Sequence, residues 1–341
     1  MTSWLHRSAL ALALLAHPAS APELTIVRDE AEAAIAILES QAAGKPVTEA
    51  AWARLFDSDG YRRLKAREAA MGRAFEDSTF RHFLTSDSLL HRTDSLRRAL
   101  RQWSGADFAA AARRALAYLP AGTPLRAKVY LLIKPKTNSF VFEVDTDPAI
   151  MLYLDPARSR EQLENTVAHE LHHVGYGTGC DSPGDIAADS AEYTARRWLG
   201  AFGEGIAMLA AAGGPDVHPH AASPAEDRAR WDRDLANAPA DLRRVEAFLL
   251  DVLDRRLTDP DSIGRAGMSF FGVQGPWYTL GWLMGAAVER VQGRRALVQR
   301  LCDPAALLEA YNAAARERRE SLPLWSEALL ARLSPRAGRR S

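Results

Sequence analysis

Cysteine is almost missing from this chain: Cys180 and Cys302 are the only two in 341 residues. That excludes a disulfide framework and any multi-cysteine zinc site. The pair could form one bridge in an oxidising compartment or stay as two free thiols, and their positions in the sequence do not decide between these. An excess of charge is also missing. The 43 basic and 43 acidic side chains cancel, so nothing in the global balance suggests attraction to nucleic acid or to an anionic membrane. No apolar run is long enough to span a bilayer, and no internal repeat or low-complexity tract occurs. What remains is ordinary globular composition, 47% hydrophobic and 25% charged, in a chain long enough for one large or two small cores. Partners must be sought in a site.

Met1 to Ala21 reads as an export signal, with His6 and Arg7 beside a short apolar run from Ala9 to Ala16 and a small-x-small pattern at Ala19-Ser20-Ala21. The expected location is therefore periplasmic or secreted, with no stable membrane insertion once the signal is removed. Pro22 directly after that point fits signal cleavage badly.

From about Glu23 to Tyr118 apolar residues recur at three- and four-residue spacing, predicting helices with a loop at Asp57-Ser58-Asp59-Gly60. Trp52, Leu55, Phe56 and Tyr61 read there as packing residues. After Pro120 three short runs rich in β-branched and aromatic residues, Val129 to Ile133, Ser139 to Val144 and Ala149 to Leu154, predict a small, mostly antiparallel sheet. Helices are expected from about Arg160 to Tyr176 and Ile186 to Ala212, and then Trp277 to Gln292 and Ala305 to Arg318. The proline- and histidine-rich stretch from Pro215 to Ala240 reads as a surface excursion that leaves His218 and His220 exposed. The chain thus divides into a signal peptide (1–21), a helical N-terminal region (22–124), a core with the sheet and two helices (125–214) and a helical C-terminal region (215–341). The fold class is α+β, mainly α.

The informative segment is Thr166-Val-Ala-His169-Glu170-Leu-His172-His173, which holds His-Glu-x-x-His inside a helical stretch. Four residues advance a helix by a little over one turn, so His169 and His173 share a face and can meet one ion about 2 Å from each ring nitrogen. Glu170 lies beside that face, within reach of a metal-activated water. Solvated helix residues are the competing reading, which three histidines in five residues disfavour. His172 reads as a packing or hydrogen-bonding residue.

A catalytic zinc needs a third protein ligand and one open position. No His-x-x-Gly-x-x-His follows the motif, so two glutamates compete. Glu192 lies in polar surroundings. Glu204 lies in Leu199-Gly-Ala-Phe-Gly-Glu-Gly-Ile-Ala-Met-Leu209, where a carboxylate would be strongly disfavoured without a cation. That argument favours Glu204, and Gly203 and Gly205 would let its helix approach the histidine helix closely.

His-Glu-x-x-His followed by Glu-Gly-Ile-Ala resembles the gluzincin clan of zinc metallopeptidases, most closely its uncharacterised bacterial members. The resemblance runs from about Leu125 to Tyr311, since Trp277-Tyr-Thr-Leu-Gly-Trp-Leu-Met-Gly also resembles the helix that closes the catalytic region in that group. It implies a zincin-like core, Zn2+ held by His169, His173 and Glu204, Glu170 as general base and a peptide or protein substrate. By the same analogy a tyrosine or histidine from the C-terminal helices assists the oxyanion. Tyr278 is the candidate, against an ordinary core tyrosine. Glu192 has the 18-residue spacing of aminopeptidase N-like enzymes, but no Gly-x-Met-Glu-Asn motif accompanies it, which puts aminopeptidase activity in doubt. Two other functions stay open: a non-catalytic helical interaction protein with a vestigial zinc site, and a zinc hydrolase acting on a non-peptide amide.

Overall fold

A computed structural model describes residues 21–180, 190–318 and 321–333. The export pattern at the N-terminus lies outside them, apart from Ala21. Over the described residues the chain is α+β and mainly α, with a single four-stranded sheet.

The strands are β1 (Glu23–Val27), β2 (Arg126–Leu132), β3 (Phe140–Phe142) and β4 (Ala149–Tyr153), ordered β1-β2-β4-β3. β1 and β4 both run parallel to β2, and only β3 is antiparallel, to β4. The sheet is therefore mixed, not mostly antiparallel. The Asp145-Thr-Asp-Pro148 turn does join β3 and β4 as neighbours, but the stretch after β2 carries the chain past β4 to the far edge. β4 is buried along its whole length, as an interior strand paired on both sides must be. β1 falls in the stretch read as helical: five residues between the export pattern and a strong helix leave too short a window for alternation to register.

The buried apolar residues form two clusters. The first joins the sheet to the helices of residues 29–116 and includes Trp52, Leu55 and Tyr61. The second is built by the helices after residue 190, around Trp231, Trp277 and Trp325. One helix, Arg160–Gly179, serves both: Leu163, Val167, Ala168, Leu171 and Val174 enter the first cluster, while Tyr176 and Cys180 pack against the second. Cys180, at its C-cap, is disulfide-bonded to Cys302, with Cα atoms 5.1 Å apart. No described helix is long and apolar enough to cross a membrane.

Glu30, on the first helix (Asp29–Ala42), is fully buried, and its carboxylate accepts the Ile133 N–H at 2.9 Å just beyond β2. Burial pushes this carboxyl up to about 8.

Candidate metal centre

The histidine helix, Arg160–Gly179, begins at a capping box in which the Ser159 hydroxyl accepts the Gln162 N–H and the Gln162 side chain accepts the Ser159 N–H. Its apolar face is fixed in the first core, which turns His169 and His173 toward the second. Their Nε2 atoms stand 3.0 Å apart. His172, one step round the helix, is fully buried on another face and donates Nε2–H to the Tyr118 carbonyl at 3.3 Å. Burial first, then the neighbouring imidazoles, lowers its pKa to about 3, so it packs as a neutral ring.

Glu204 stands on a separate helix, Gly203–Ala212. The sequence predicts one helix from about Ile186 to Ala212, of which 186–189 lie outside the described residues. The rest is broken into Ala191–Leu199, a 3-10 turn at Gly200–Phe202 and the Glu204 helix. Gly200 and Gly203 bracket the break, where helix propensity is weakest. Gly205 does not serve the approach to the histidine helix. A Cβ there would stand 2.1 Å from Trp282 N and 2.3 Å from Tyr278 O, so it admits the helix Pro276–Gln292 instead.

These packings place one Glu204 carboxylate oxygen 3.2 Å from Nε2 of both histidines. Three ligands on a tetrahedron about 2.0–2.1 Å from zinc stand roughly 3.3–3.4 Å apart, so the spacing is close to that of one tetrahedral face. Protons alone serve this trio poorly, because three mutual contacts among two imidazole nitrogens and an acceptor-only oxygen cannot all be hydrogen bonds. A cation at the centre satisfies all three. Two imidazoles and one carboxylate are a donor set that fits zinc. Burial opposes the charge of Glu204, yet the two imidazoles hold its carboxyl well below the usual range. Among the described residues no other group of three histidine, cysteine or acidic side chains converges in this way.

A cleft of about 420 Å³ opens beside the trio, lined by His169, Glu170 and Tyr278. Glu170 is 7% exposed, and burial raises its pKa. Tyr278 stacks on His169 with ring centroids 6.5 Å apart, and burial together with the facing Glu204 carboxylate raises its pKa, so the phenol keeps its proton. The structure thus brings together all five residues singled out by the sequence. Glu192 is not among them: it pairs with Arg196 at 3.1 Å.

Residues 137–139, leading into edge strand β3, line the same cleft. His220 lines it too, 7% exposed, with Nδ1 on the Ser223 hydroxyl at 3.0 Å and its ring 5.5 Å from Trp231. The excursion read as exposed is therefore partly buried. Its helix, Ala225–Ala236, is anchored by the buried Trp231 with Leu235 packed beside the same core, two large apolar side chains in a charged segment and thus a weak periodic signal. Arg158, Gln162 and Asn165 also line the cleft. Positions 162, 165, 166, 169 and 173 recur at helical spacing, so the shared face could have been read from the motif outward.

Fold and site together define an α+β, mainly helical chain in which two histidines and one glutamate converge as a group that could hold a metal ion, with one of them, His169, lining a cleft. The chain belongs to the family described as "putative zinc dependent peptidase (DUF5700)", whose model matches residues 52–320. The match spans the three converging side chains, Glu170 and Tyr278. No curated protein and no solved structure matches the chain.

Proposed function

We propose that the protein is a zinc metallopeptidase in which His169, His173 and Glu204 hold the metal, Glu170 is the general base and Tyr278 is the oxyanion donor. The observation that carries this reading is the convergence of three donor atoms at the spacing of one tetrahedral face, with His169 and Glu170 both lining the same cleft. A structural zinc site is closed by four protein ligands, whereas here three converge among the described residues and one of them, His169, lines the cleft beside Glu170. That favours catalysis over a vestigial site, and the family description favours a peptide bond over another amide.

Zinc bound there supplies Lewis acidity, which acidifies water and polarises a carbonyl. Glu170, one residue from a ligand on the same rigid helix, accepts the proton of the attacking water and returns it to the leaving amine. The Tyr278 phenol, protonated across the working pH range, donates a hydrogen bond to the oxygen on which charge develops. The floor of the site is rigid because each group stands on a packed helix.

The Cys180–Cys302 bond suits an oxidising compartment and supports export through the N-terminal signal pattern. The deciding experiment is metal analysis of the purified protein, followed by digestion of a peptide library by wild type and Glu170→Gln. Zinc at one equivalent, with cleavage by wild type alone, is the expected result. A zinc-free protein, or cleavage retained in the variant, would overturn the reading.

A further inference from the structure

Along the histidine helix, on the N-terminal side of Glu170, the cleft wall carries only hydrogen-bond donors. The Asn165 side-chain oxygen is taken by Arg114, which donates to it at 2.6 Å, and this fixes the amide with its NH2 group outward. The Gln162 oxygen is taken by the Ser159 N–H at 2.7 Å, which fixes that amide in the same way. The Thr166 hydroxyl donates to the Gln162 carbonyl and accepts from Arg158 Nη1 at 2.9 Å. The Arg158 side chain makes no other hydrogen bond and no salt bridge among the described residues, though its charge also acts on the Glu170 carboxylate. The cleft's other arginine, Arg230, is already paired with Asp227 at 2.6 Å.

Each acceptor on this wall is used inside the protein, and what faces the cleft is a half-buried guanidinium with two primary amides. Such a surface rejects carbonyl-poor or cationic groups and rewards an anion with several lone pairs, above all a planar carboxylate. The geometry points to a carboxylate-binding subsite formed by Arg158, Gln162 and Asn165, which makes this an enzyme for peptides bearing an acidic group near the scissile bond. The inference rests on the peptidase reading above. Asn165 and Gln162 lie five and eight residues from Glu170, about 7–12 Å at the helical rise. An extended peptide covers that in about two to four residues. The carboxylate is either an Asp or Glu side chain at that separation or the substrate's own C-terminus.

The probes are labelled alanine–phenylalanine octapeptides with both ends blocked that carry one Glu or one Gln at successive positions, and Glu-free versions ending in a free acid or an amide. Binding is read by fluorescence anisotropy on zinc-loaded Glu170→Gln protein, and cleavage is read separately on wild type. Expected is roughly tenfold tighter binding of the carboxylate-bearing peptide than of its neutral twin, as for one charge-assisted contact. That ratio should fall to about twofold or less when Arg158→Met is added. Gln162→Glu keeps the capping box and hence the helix start, while placing a like charge in the subsite, and should also abolish the preference. A ratio near one before either change, or a ratio that survives both, overturns the subsite. A Glu-over-Gln preference with blocked ends assigns a side chain as the ligand, and an acid-over-amide preference assigns the C-terminus. Carboxylate-dependent binding without cleavage of any peptide supports the subsite and counts against the peptidase reading alone.

Discussion

Gly205 and Gly281 touch through their backbones: a Cβ on Gly205 would stand 2.4 Å from the Gly281 carbonyl carbon, and one on Gly281 would stand 3.1 Å from Gly205 Cα. The helix carrying Glu204 and the helix carrying Tyr278 therefore cross with no side chain between them, and this crossing sets how near the carboxylate and the phenol can come. Gly205→Ala forces backbone apart and should destabilise the fold by about 2 kcal/mol or more. Gly203→Ala, where nothing lies within 4 Å, should be neutral or stabilising by up to about 1 kcal/mol. Urea denaturation of both variants checks this, and equal losses would show that the crossing does not depend on the glycine.

His169→Ala, His173→Ala and Glu204→Ala should each lose most bound zinc, since two protein ligands hold the ion far more weakly than three. Glu192→Ala removes only a part-buried pair with Arg196 and should bind zinc like the wild type. Titration with a competing chelator ranks the four variants, and weak binding by Glu192→Ala alone would move the third ligand to that residue.

Glu170→Gln should keep zinc and stability while hydrolysis falls at least about a hundredfold, the usual consequence of removing a general base. Tyr278→Phe should lower kcat by roughly tenfold to a hundredfold with little change in KM, because a hydrogen bond made to developing charge is absent in the ground state. Steady-state kinetics on a confirmed substrate separates these effects. A Tyr278→Phe variant that changes only KM would make the tyrosine a binding residue.

Glu30 makes a pH prediction for stability. Its folded-state carboxyl is raised to about 8 from an ordinary value of 4.5, so folding takes up a proton between those values. Its contribution is complete below about pH 4.5 and is lost as pH rises through 8. Glu30→Gln, which keeps an oxygen for the Ile133 N–H, should therefore gain on the wild type with rising pH, by as much as roughly 4–5 kcal/mol at pH 9. Denaturation midpoints of both proteins at pH 5, 7 and 9 test it, and parallel curves would place the charge in a better-solvated setting.

The histidine helix was legible because its chemistry and its periodicity coincide: histidines four apart stay on one face whatever surrounds them. Glu204 was legible for a different reason, since a carboxylate in an apolar stretch demands a partner. The sheet order was not legible. Local patterning finds β2, β3 and β4, but whether β4 lies beside β2 or beyond β3 depends on which faces the distant helices cover. The break before Gly203 was hidden because a helix and two half-helices share the same apolar spacing. The burial of His220 rests on Trp231 docking in the second core, a contact that no local pattern encodes.

The Cys180–Cys302 bond ties the C-cap of the histidine helix to the chain beyond Tyr278, closing a covalent ring across a sequence separation of 122 that contains both Glu204 and Tyr278. A protease that cuts a surface turn within this ring produces no free fragment. Both halves stay tethered to the helix that bears His169 and His173, and the reunion of the severed ends has no concentration to wait for. Such a nicked molecule should run as one band on a non-reducing gel and as two after reduction. The ring thus converts a cut from a loss of parts into a wound that stays closed.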